Sequence, residues 1–136
     1  MSSIEAIHTA LAGDDPLLAA ALVSPDDGTS DSPTAELHPG AAEDLLVGVE
    51  AIREGHLLHW GDGRLVKTSD QDLAILAGDR LYALGLERVA ATGSEDAIVE
   101  LSRLIRDSAT SMAAGSSAES EDVWRATCAR IGKVDS

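Results

Sequence analysis

The 136-residue chain contains two Trp, one Tyr and no Phe. A core built almost without aromatics must draw on Ala, Leu, Ile and Val. Those residues fill the seams between close-packed helices, whereas sandwiches and barrels lean on aromatic and β-branched side chains. The expectation is therefore an all-α helical bundle. Hydrophobic residues make up 44% of the chain, enough for a packed core. The length fits a single domain, residues 1–136.

Charge narrows the function classes. Ten Lys+Arg stand against 24 Asp+Glu, a net charge of -14. That balance leaves no basic patch for a phosphate backbone, which argues against nucleic acid as a partner. It also disfavours docking on anionic lipid. No apolar run approaches the roughly 18 residues of a membrane span. The start, MSSIEAIHTALAGDDP, lacks the layout of a signal peptide. Cys128, the single cysteine, has no disulfide partner in the chain. A cytoplasmic setting is expected.

Punctuation along the chain predicts four substantial helices and two short N-terminal ones. Ser2 or Ser3 caps Ile4–Ala12, and Gly13 ends it. Asp15-Pro16 opens a second short helix through Leu17–Val23. Residues 24–40, SPDDGTSDSPTAELHPG, read as a flexible loop. From Ala41 to Trp60, Leu45, Val49, Ile52, His56 and Trp60 recur at helical spacing, with Glu43, Asp44, Glu50 and Glu54 mainly elsewhere on the wheel. Ser69 is expected to cap a helix reaching about Ala91, apolar almost all round and so predicted to be the buried one. Ser94-Glu95-Asp96 starts the next, with an inward stripe of Ala97, Ile98, Leu101, Leu104, Ile105, Ser108 and Met112 and a surface pair of Arg103 with Asp107. Residues 113–120 read as a loop. Ser120 is expected to cap a last helix, closed by Gly132, with Val123, Trp124, Thr127, Cys128 and Ile131 inward.

Few residues suggest chemistry. Leu76, Asp79, Ala83, Leu86 and Ala90 share a helical face, so Asp79 reads as a buried polar group needing a partner. Ala74, Gly78 and Gly85 form a row of small residues that lets another backbone, internal or from a second subunit, approach closely. A Gly inside a helix costs about 1 kcal/mol against Ala, so two imply a packing reason. His56 and His59, three apart, have the spacing of a metal pair, but no second ligand cluster accompanies them. Glu5-Ala6-Ile7-His8 is a single copy of a motif that a di-iron bundle needs twice. The acidic clusters Asp14-Asp15 and Asp26–Asp31 read as a helix cap and as loop. Cys128 reads as an inert core thiol.

One stretch carries a resemblance. AILAGDRLYALGLERVAATGSEDAIVELSRLIRDSA, residues 74–109, resembles the trans-polyprenyl diphosphate synthases, in which a long helix reads close to LAGDxLxAxAxxxLA. There an acidic turn and a second amphipathic helix follow. Here those parts are Leu76–Asp79 with Leu81, Ala83 and Leu86, then Gly93–Ala97, then Val99–Ile105. Upstream, EAIREGHLLHWGDGRLV resembles the helix ending in LxHDDxxD, whose aspartates hold Mg²⁺ and the allylic diphosphate. In this chain Trp60 and Gly61 replace the two leading aspartates, and Asp62 stands alone. The likeness covers about half the chain.

What the resemblance implies is an isoprenoid-synthase-like partial fold in a chain that is not catalytic alone. Some of these enzymes are heteromers, in which a short, degenerate helical subunit supports a large subunit that keeps both aspartate motifs. The expectation is a regulatory subunit of such a complex, binding no cofactor itself, with Mg²⁺ in the catalytic large subunit. Its partner interface is expected at Ala74, Gly78, Leu81, Tyr82, Gly85 and Val89. Ile52, Gly55, His56 and His59 are expected to line the prenyl tunnel. Gly55 stands five before Trp60, the family position that influences product length, so Gly55→Phe is expected to shorten the product. The alternative is a standalone acidic homodimeric interaction protein, and a third reading is a small enzyme or metal-binding bundle.

Overall fold

The computed structural model describes residues 3–13, 16–22 and 42–134. Among them the order is α1 (Ser3–Ala12), α2 (Pro16–Ala21), α3 (Glu43–Trp60), α4 (Gln71–Ala90), α5 (Glu95–Ala113) and α6 (Ser117–Val134). These residues are all-α, and their one extended pairing is an isolated bridge between Leu22 and Val66. The loop expected at residues 24–40 and the acidic clusters at 14–15 and 26–31 lie outside the described residues.

Helix ends follow local chemistry. Ser94 Oγ accepts from Ala97 N, as expected, after Gly93 turns the chain at φ +80°. The α4 cap is Asp70 rather than Ser69. Its carboxylate accepts from Asp72 N and Leu73 N, and a carboxylate there also answers the positive end of the helix. The loop expected at 113–120 shrinks to three residues. Gly115 at φ +83° reverses the chain, and Ser116 Oγ accepts from Glu119 N to start α6. Ser120 therefore lies inside α6 and is fully buried, and the helix runs past Gly132 to Val134. On α5, Asp107 accepts from Arg106 Nε at 2.9 Å instead of pairing with Arg103.

The chain folds as two helical hairpins, α3 with α4 and α5 with α6, and α1 packs on α3. The most buried helix is α3, not α4. One side of α3 gives Leu45, Val49 and Ile52 to a core shared with Val89, Ala97, Leu101, Leu104, Trp124, Cys128 and Ile131. Its other side gives Val47, Ala51 and Leu58 to a second core with Ile7, Leu11, Leu65, Val66, Ala77 and Leu81. Packed from several directions, α3 also buries Glu50 and Glu54, expected on its wet side, while Trp60 at its end is exposed.

Glycine decides how α4 sits. A Cβ on Gly85 would lie 2.6 Å from the Gly48 carbonyl oxygen, and one on Gly48 would lie 2.8 Å from that of Gly85. A Cβ on Gly55 would lie 2.8 Å from the Gly78 oxygen. The two helices thus meet backbone to backbone at Gly48 with Gly85 and at Gly55 with Gly78. This contact rotates α4 away from the expected stripe. Ala77, Gly78, Leu81, Gly85 and Val89 are buried, whereas Leu76, Asp79, Ala83 and Ala90 are exposed.

Gly85→Ala is expected to destabilise the fold by about 1–3 kcal/mol, the usual cost of overpacking. It does so although Ala gains about 1 kcal/mol in helix propensity. Urea unfolding at unchanged slope is the check; a stabilised variant would show that the helices are not in backbone contact.

Candidate functional site

The chemistry-bearing side chains gather on α3 and on the linker that follows it. Glu54 is fully buried. Its Oε1 accepts from Arg64 Nε at 3.0 Å, and its Oε2 accepts from Leu65 N at 2.8 Å and Val66 N at 3.4 Å. Arg64 also donates from Nη1 to Glu50 Oε2 at 2.9 Å and from Nη2 to the Glu50 carbonyl at 3.3 Å. A buried carboxylate is tolerated when its oxygens are filled this way. The result fixes the linker onto α3.

At the linker end of the α3–α4 hairpin, His59 Nε2 lies 3.1 Å from Asp79 Oδ1. The His59 ring stacks on Tyr82, centroids 5.2 Å apart and planes within 16°. Burial, with the Asp79 charge second, pushes the Tyr82 hydroxyl up to about 12. Asp79 is not the buried polar group expected: its side chain is 65% exposed, because α4 turns its glycine face inward. Trp60, Ile75 and Leu76 are large exposed apolar residues at this same end of the hairpin.

Across α3, toward α6, lies a drier polar group. Arg53 Nη2 donates to Glu121 Oε1 at 2.7 Å, and its guanidinium carbon sits 5.0 Å over the Trp124 ring. The His56 ring centroid is 5.4 Å from that of Trp124. Burial foremost, then the charges of Arg53 and His59, lowers the His56 pKa to about 4. His56 is therefore neutral at pH 7.

The residues expected at a partner interface mostly face inward. Gly78, Leu81, Gly85 and Val89 are buried, and Ala74 and Tyr82 are partly covered. α3 of the same chain is the backbone that Gly78 and Gly85 admit. Of the expected tunnel residues, Ile52 is in the core, and the space beside Gly55 is filled by Tyr82 and the Gly78 carbonyl. A large side chain at Gly55 would part the hairpin. His56 and His59 occupy separate surroundings, and no group of three or more His, Cys, Asp or Glu placed to hold a metal occurs among the described residues. Cys128 is buried and is not in a disulfide. No helix is long and apolar enough to cross a membrane among the described residues. A groove of about 390 Å³ between α5 and α6 is rimmed by Glu100, Arg103, Asp107 and Arg130, where Arg130 Nη2 donates to Glu100 at 2.9 Å.

Glu54, Arg53 and Ser120 carry no motif of their own and are not legible as site residues, and Arg64 is legible only as a loose echo of the basic pair that follows the aspartates in the resembled family. The one signal for the other three was Arg53 and His56 falling three apart on the predicted helix. No family model matches the chain, and no curated protein or solved structure matches it either.

His56 gives a pH signature. Its folded pKa lies below the unfolded value of 6.5, so folding favours the neutral ring. The stability this contributes is whole above pH 6.5 and is lost as pH falls from there toward 4. The full loss is about 3 kcal/mol, at about 1.4 kcal/mol per pKa unit. Unfolding free energies measured between pH 7 and pH 5 are expected to fall more steeply for the native chain than for His56→Gln. Equal slopes would refute the assignment.

Proposed function

We propose that the chain is the non-catalytic small subunit of a heteromeric trans-polyprenyl diphosphate synthase. One observation carries this reading. The two segments with the family likeness, Leu57–His59 and Leu76–Asp79, come together at one end of the hairpin, joined by His59 and Asp79. That end also presents Trp60, Ile75 and Leu76 to solvent. Single exposed apolar residues are ordinary, but three at one end suit a surface that a partner covers.

In this reading the large subunit supplies the aspartates, the Mg²⁺ and the allylic diphosphate. This chain supplies the α3–α4 hairpin. The contact moves from the Gly78–Gly85 row, which α3 occupies, to the outward side of α4 around Leu76. Any influence on product length then acts through the docked hairpin rather than through an open space at Gly55. The second reading, a homodimer, uses the same exposed apolar residues.

The tagged chain is expected to recover, from extracts of its own cells, a protein with two aspartate-rich motifs and prenyl-transfer activity. Leu76→Glu is expected to weaken that pairing at least tenfold while leaving the helical circular dichroism and melting temperature unchanged. Recovery of the chain only with itself, as a dimer that Leu76→Glu dissociates, would overturn the subunit reading in favour of the homodimer.

A further inference from the structure

The contact between α3 and α6 buries polar atoms that have no partner. Arg53 Nη1, His56 Nδ1, Ser120 Oγ and Trp124 Nε1 are closed off from solvent without a hydrogen bond. They are the unsatisfied buried side-chain atoms among the described residues, two on α3 and two on α6. All four residues are more than nine-tenths buried. Native proteins leave few such groups, and each is costly while it stays unfilled.

Helix spacing groups the four residues into two pairs. Arg53 and His56 are three apart on α3, and Ser120 and Trp124 four apart on α6, so each pair shares a helix face. Arg53 and His56 both lie against the Trp124 ring, at 5.0 and 5.4 Å. The chemistry of the set is lopsided. Arg53 Nη1 and Trp124 Nε1 donate only, Ser120 donates or accepts, and the neutral imidazole donates from Nδ1 in one of its tautomers. A guest must therefore offer acceptors. The Arg53 charge and the first turn of α6, where Ser120 lies, both favour a negative one. Glu121 already pairs with Arg53 and is itself partly exposed, so a guest carrying more than one negative charge is disfavoured.

We infer that the α3–α6 contact is a binding site for a small carboxylate, with Arg53, Trp124 and Ser120 donating to its oxygens and His56 as a fourth contact. The site is separate from the His59–Asp79 end of the hairpin and does not depend on the subunit reading.

The chain has two tryptophans, so Trp60→Phe leaves Trp124 as the sole indole reporter. Its N–H resonance is followed by ¹⁵N–¹H NMR while sodium formate, sodium acetate or sodium chloride is titrated at constant ionic strength. The expected result is a saturable shift with formate or acetate. Ser120→Ala and Arg53→Lys, each confirmed as folded by circular dichroism, are expected to weaken binding at least tenfold. The native chain, with the Trp60 resonance assigned by its loss in the variant, gives the same readout. An equal response to chloride would overturn the carboxylate assignment. No saturable shift, together with a persistent cross-peak from the indole N–H to water, would assign the four atoms to internal water and overturn the site.

Discussion

The structure depends on the backbone contact between α3 and α4. Side chains normally hold packed helices about 8–10 Å apart. At Gly48 with Gly85 and Gly55 with Gly78 nothing stands between the two main chains, and a Cβ at Gly85 or Gly55 would collide with the opposite carbonyl. This contact sets the rotation of both helices. It puts Leu45, Val49 and Ile52 toward α5 and α6 and Val47, Ala51 and Leu58 toward α1. It also leaves Leu76 and Asp79 outside. Had the aliphatic stripe of α4 decided the packing, Asp79 would be inside and the His59 pair would not form.

A chain with 24 acidic residues and ten Lys+Arg uses its few cations selectively. Arg64 and Arg53 are drawn inward, each against a glutamate of the chain, and Arg64 holds two. Arg88 joins α4 to the start of α3 through Asp44 at 2.9 Å, and Arg130 joins α6 to α5 through Glu100. The exposed pairs contribute little. The buried ones matter for the asymmetry of their loss, because removing Arg64 would strand carboxylates inside the protein.

Where the sequence has a clear period the stripe is legible in part: Ile98, Ile105, Met112 and Val123 are half-buried and Trp60 is exposed. The inward residues Ala97, Leu101, Leu104 and Ser108 of α5, and Trp124, Thr127, Cys128 and Ile131 of α6, are buried as the wheel predicts. The shortage of aromatics pointed to helices, and Gly93-Ser94 marked a true boundary. The α3–α4 hairpin was harder. Apolar residues surround α4, so no stripe stands out, and the deciding residue has no side chain to score. Gly78 and Gly85 were visible as a row, but their partners Gly48 and Gly55 are seven apart on a helix whose pattern drew attention elsewhere. Glu50 and Glu54 read as solvent-facing because hydropathy cannot foresee an arginine ten residues on. Ser120 read as a cap because a serine before an acidic pair is also what a cap looks like.

Glu54 also does something a hydrophobic residue could not. Its carboxylate receives the amides of Leu65 and Val66, taking the place that a neighbouring strand would have in a sheet. The connection between α3 and α4 is therefore ordered when the domain folds, without secondary structure of its own. Whatever meets the end of the hairpin finds a template already set, and the entropy of arranging that segment is lost in folding rather than in recognition. Any association there is expected to be rigid-body in character, because a buried glutamate has already set the segment.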